Sequence, residues 1–145
     1  MKGGKTQSLH HHSYIWQLEI DERNRLIYFA DLHVMFVIDY DGKGLKKIHN
    51  RQPGAIFYNE ADKRLYWVDS DTKTLISQRQ DPLGDQHAIQ KIDKDTFSLT
   101  IHNQILYLNE YAERGFTLMT LEGERLPSLA TDVVPTDDDA YLAFL

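Results

Sequence analysis

The chain has 145 residues, 41% of them hydrophobic and 26% charged, with a net charge of −6 and no cysteine; this describes a folded domain with a core. Disulfides and Cys-ligated metals are excluded, and an acidic balance without a basic stripe argues against nucleic acid. No apolar run reaches the roughly 20 residues of a membrane helix and Met1–Gln7 lacks a signal-peptide core, so no membrane partner is expected; the location reads as cytoplasmic unless the chain is an excised piece of a longer secreted protein.

Residues 1–12 read as a disordered, polar lead-in. Beyond them alternation and short β-rich runs dominate, punctuated by Gly, Pro, Asp and Asn at turn spacing. The first unit, about 13–50, predicts strands at 13–20, 25–31, 34–40 and 45–49, with turns at Asp21–Asn24 and Asp41–Gly44. The densest basic stretch, Lys43, Lys46, Lys47, His49 and Arg51, runs through and around its last strand. These read as a solvated edge that opposes pairing, with an anion-binding patch as the alternative. The second unit, about 51–92, predicts strands at 55–59, 64–69, 74–79 and 87–92. The third, about 93–131, predicts strands at 96–101, 104–109, 116–121 and 125–129, with His102-Asn103 as its first hairpin turn and Glu122-Gly123 as its third. An acidic stretch, Asp132–Asp139, then leads to apolar Ala140–Leu145, expected to add a strand at 140–145 to a sheet of this chain or of another.

One motif recurs through these units. Leu65-Tyr66-Trp67-Val68-Asp69 is its clearest copy, Leu26-Ile27-Tyr28-Phe29-Ala30-Asp31 a close relative, and Leu106-Tyr107-Leu108-Asn109-Glu110 a worn third. The tyrosines are spaced by 38 and 41 residues. A period near forty with several short strands per unit signals propeller blades. The expected fold is all-β: a β-propeller of three four-stranded antiparallel blades per chain. On a strand Tyr66 and Val68 face one way, Trp67 and Asp69 the other, which suits a sheet covered on both sides. Asp31, Asp69 and Glu110 read as scaffold acids that accept backbone N–H groups from an adjacent turn and knit blades together.

These residues resemble the Tyr-Trp-Thr-Asp repeats of low-density-lipoprotein-receptor class B propellers. Tyr66-Trp67-Val68-Asp69 differs from that motif by Val for Thr. Tyr28-Phe29-Ala30-Asp31 keeps two aromatics and the acid, and Tyr107-Leu108-Asn109-Glu110 keeps the tyrosine and an acidic end. The downstream Asp-Gly turn matches at Asp41-Gly42 and, more loosely, at Glu122-Gly123. The likeness covers roughly residues 14–130. It implies six blades where this chain holds three. Two chains would then pair as a homodimer completing a six-bladed ring, or the chain is part of a longer protein. It also implies a non-enzymatic scaffold that binds a protein or peptide, with Tyr40, Tyr58 and Tyr111 as candidate contacts; the alternative is that each packs between blades. Six-bladed propellers also host calcium-dependent lactonases and esterases. By that analogy Asp69, Asn109 and Glu110 would converge on a central channel.

No catalytic constellation stands beside these readings. Ser13, Ser70, Ser77, Ser98 and Ser128 lack a nucleophile elbow, and Gly42-Lys43-Gly44 reads as a hairpin, not a phosphate loop. His10-His11-His12, Asp137-Asp138-Asp139 and Asp69-Ser70-Asp71 invite a metal reading. None has the converging spacing of a zinc or EF-hand site, and Asx-turn chemistry accounts equally for the last. No catalytic residue, metal or cofactor is expected.

Overall fold

The structure, a computed structural model, describes residues 6–9, 14–80, 83–92, 95–110 and 116–127. Eleven strands and no helix occur among them. Strands β1 (Gln17–Asp21), β2 (Leu26–Ala30), β3 (Met35–Asp39) and β4 (Lys46–His49) form one antiparallel sheet in sequence order. Strands β5 (Pro53–Asn59), β6 (Arg64–Asp69), β7 (Thr74–Gln80) and β8 (Leu83–Lys91) form the second. The third holds β9 (Thr96–His102), β10 (Ile105–Glu110) and β11 (Phe116–Thr120), with β10 in the middle.

Short loops fix these registers. Four-residue loops join β1 to β2, β5 to β6 and β6 to β7. Each closes on a residue in the left-handed region: Arg25 (φ 56°), Lys63 (φ 60°) and Lys73 (φ 52°). A single such residue lets the chain reverse and re-enter the ladder with matched strand twist. The β9–β10 hairpin turns on Asn103 (φ 49°) and Gln104 (φ 67°), both left-handed as a type I′ turn requires. That is one residue later than the His102-Asn103 turn expected, because His102 still pairs with Ile105 as the last rung. Strand β1 starts at Gln17, four residues later than expected. The expected strand at 125–129 appears among the described residues as a bridge between Met119 and Arg125, with Leu126 N–H donating to the Leu118 carbonyl at 2.9 Å. The proposed strand at 140–145 lies outside the described residues.

The middle sheet is covered on both faces, which explains why its strand β6 is apolar from Leu65 to Val68. Leu65 and Trp67 of β6 pack with Ile56, Tyr58 and Ile76 against Tyr28, Met35 and Val37 of the first sheet. Tyr66 and Val68 point the other way and join Ala55 and Leu75 against Leu99, Leu106, Leu108 and Met119 of the third. Burying each such side chain contributes on the order of 1.5–3 kcal/mol. The first strands lie together, β5 between β1 and β9, so they form the inner edge of the stack. Gln17 of β1 seals part of that edge: its Nε2 donates to the Gly54 carbonyl at 2.9 Å and its Oε1 accepts the Ile56 N–H at 2.6 Å. Glu19 Oε2 accepts the Tyr58 N–H at 3.3 Å. These side chains occupy backbone groups that an edge strand would otherwise leave unpaired. Three face-packed antiparallel sheets whose first strands share one edge are successive blades of a β-propeller.

Candidate binding face

The repeated acids stand where β2, β6 and β10 end, here called the upper end of the blades. Asp31 Oδ1 accepts the His33 and Val34 N–H groups at 2.7 and 2.6 Å. Asp69 Oδ1 accepts those of Asp71 and Thr72 at 2.9 and 3.1 Å. Both carboxylates therefore cap the turn of their own blade, through the short side chain's reach to N–H groups two and three residues on. The second Asp69 oxygen faces the first blade, 3.5 Å from His49 Nε2 on its last strand and 3.6 Å from Arg51 Nη1 on the link between blades; these are side-chain contacts and not bonds to the N–H groups of a neighbouring turn. Burial lowers the pKa of His49, an effect only partly offset by the Asp69 charge, and its ring lies 5.4 Å from that of Trp67. Glu110 is buried, and its Oε2 accepts the Thr117 hydroxyl at 3.2 Å.

The other sequence-marked residues scatter. Tyr28 and Phe29 are buried on opposite faces of β2, Tyr28 against the second blade and Phe29 stacked on Phe36 at 5.2 Å. Tyr107 holds the corresponding central place on β10, facing away from Leu106 and Leu108. Tyr40 lies at the lower end, half-buried, with the Arg25 guanidinium 4.9 Å above its ring. Tyr58 is no surface contact. It is buried between the first two blades, stacked on Tyr28 at 5.5 Å, and burial with the Asp21 carboxylate beside it pushes its hydroxyl up to about 12. Tyr111, His10–His12 and Asp137–Asp139 lie outside the described residues. Asp69-Ser70-Asp71 is an Asx turn, and no group of three or more His, Asp or Glu able to hold a metal occurs among the described residues. Asp69, Asn109 and Glu110 sit at the ends of second strands, one strand out from the inner edge formed by β1, β5 and β9.

What the upper end does display is apolar surface. Tyr14, Ile15 and Trp16, immediately before β1, and Leu32 in the β2–β3 turn are exposed. Beside Trp16 a cleft of about 190 Å³ opens between the blades, lined by Gly54, Ser70, Lys73, Asp95 and Thr96. Lys73 and Asp95 form an ion pair across it. Gly54 is required where β5 meets the third blade, since a Cβ there would stand 2.7 Å from the Thr96 carbonyl oxygen and 3.2 Å from Ser70 Oγ. An indole wall beside a few fixed polar groups is the composition of a recognition site. Sequence reasoning assigned Tyr14–Trp16 to the first strand; β1 starts after them, and although the Trp16 N–H donates to the Ala30 carbonyl at 2.8 Å, their side chains stand exposed at the rim. A second groove, about 380 Å³, lies toward the lower end between the second and third blades. Its tyrosine and cation are engaged: Tyr66 donates to Asp62 Oδ2 at 2.5 Å, and Arg64 binds Ser77 and Asp85.

Comparison with known proteins supports the fold at this point. No family model matches the chain. It is similar to the vitellogenin receptor of Solenopsis invicta, with 28% identity over 82 residues, 54% of this chain and 5% of that receptor. Among solved structures it resembles a chain of a nidogen/laminin complex (13% identity, TM-score 0.57, 88% of this chain and 68% of that one). Similar likenesses hold for streptogramin B lyase (9%, 0.62, 81% and 41%) and for the Cps50 (Swd1) β-propeller domain of Myceliophteria thermophila (7%, 0.60, 81% and 40%). The chain is a set of β-propeller blades, similar in sequence to a small part of one receptor.

Proposed function

We propose that this chain is a non-enzymatic recognition module of the YWTD-repeat, low-density-lipoprotein-receptor class B type, and that its upper face binds a protein or extended peptide. The observation that carries this is the exposed Trp16 beside the cleft at Gly54 and Lys73, with Tyr14, Ile15 and Leu32 also exposed at this end. Tyrosine and tryptophan in such places dominate binding energy at protein interfaces. The sequence likeness to the vitellogenin receptor and the fold likeness to a chain of a nidogen/laminin complex support a binding role. The motif acids Asp31 and Asp69 fit it as well, since they cap the turns of the first two blades at this end.

Selection of peptides from a displayed random library against the whole chain tests this reading. Selected peptides are expected to lose 30-fold or more in affinity with Trp16→Ala, about the 2 kcal/mol of an aromatic hot spot, and to keep it with Tyr40→Ala at the opposite end. Binders indifferent to Trp16→Ala would place recognition elsewhere and overturn the assignment.

A further inference from the structure

The three blades offer an internal control for burial. Leu18, Ile56 and Leu99 occupy the same place on the first strand of their blades, each paired with the residue that follows the blade's repeat tyrosine. Ile56 and Leu99 are covered by the preceding blade and are 4% and 5% exposed; Leu18 is 51% exposed. Ile20 and Tyr58 are likewise matched, at 50% and 7%. Farther out on the same face of the first blade Phe29 and Ile38 are buried, so it is the inner strand β1 that stands open. The other end of the stack shows the converse. Tyr28 and Tyr66 are 0% and 2% exposed beneath the following blade, whereas Tyr107, at the matched position of the third, is half-buried.

We infer that a second copy of this chain covers both ends at once, the third blade of each packing on the first blade of the other around a two-fold axis. The two end faces are of the two kinds that already meet twice inside the chain. At the first of those junctions Tyr28 stacks on Tyr58 at 5.5 Å. Tyr107 is the counterpart of Tyr28 and Ile20 that of Tyr58, so closure seats Tyr107 of one copy on Ile20 of the other. The same contact repeats at the second junction, and no blade is left with an open inner face. A closed two-fold arrangement also avoids the endless stacking that one unsatisfied head-to-tail junction would cause. This assembly is independent of what the upper face binds.

Light scattering after size exclusion, over a dilution series of the whole chain, is expected to give twice the 16.9 kDa of one chain. Ile20→Glu and Tyr107→Lys should each give the single-chain mass with an unchanged β-sheet circular dichroism spectrum; Leu18→Glu serves if either variant unfolds. Mixing Ile20→Glu with Tyr107→Lys should restore the doubled mass, because one junction then opposes the two introduced charges and the other is wild type. A wild-type chain of single mass at every concentration overturns the proposal, as when an upstream blade or another protein fills the place. So does a dimer indifferent to Ile20→Glu, one broken by Ile20→Glu and not by Tyr107→Lys (first blade on first blade), or a mixture that stays at the single-chain mass.

Discussion

Replacing Trp67 tests the packing between the first two blades most directly. Its side chain is fully buried among Tyr28, Met35, Tyr58 and Ile76, with the His49 ring 5.4 Å away. Truncation to alanine removes the largest apolar group in that layer and leaves a cavity where two rigid sheets meet, a change that costs about 3–5 kcal/mol. One feature of the site lowers the figure. The indole Nε1 is buried without a hydrogen-bond partner among the described residues, and burying such a donor costs about 1–3 kcal/mol. Trp67→Ala is therefore expected near the lower end of the range. Trp67→Phe removes the orphaned donor while keeping an aromatic ring, so its loss of packing is largely offset and it should fall within about 1.5 kcal/mol of wild type. Urea denaturation followed by circular dichroism measures both, with the slope against denaturant showing that the unfolded surface is unchanged. A Trp67→Ala variant less than about 1 kcal/mol below wild type would mean the blades do not depend on this contact. Equal losses for the two variants would remove the orphaned donor from the account.

Gly54→Ala should cost about 1–3 kcal/mol in the same assay, because the added methyl meets the Thr96 carbonyl oxygen at 2.7 Å and β5 must move from the third blade; a neutral result would show that this spacing is slack. The pH dependence of stability should carry the sign of His49. Burial lowers its folded pKa, so the unfolded chain takes up the proton first. Its contribution is complete above the unfolded value of about 6.5 and is lost as pH falls from there through the lower folded value. Comparing wild type with His49→Gln between about pH 5 and 8 should show wild type losing more stability on acidification, and parallel curves would exclude the assignment.

The local sequence carried the blade plan. Alternation around Tyr66-Trp67-Val68 determined which side chains point to which sheet, because a strand's two-residue period leaves no other choice once the register is set. Turn residues determined that register, and the misplaced turn at Asn103-Gln104 slipped by a single residue because His102 can end a strand or begin a loop. Asp31 and Asp69 were legible as scaffold acids, for their partners lie two and three residues away. Exposure was another matter. Leu18 and Ile56 have the same chemistry and the same place in their strands, yet one is open and the other buried. Tyr58, a candidate surface contact, lies in the core, while Trp16, read as a strand residue, stands at the rim. A strand's sequence records which face a side chain takes. Only the neighbouring blade, brought there by residues some forty positions away, decides whether that face meets protein or water.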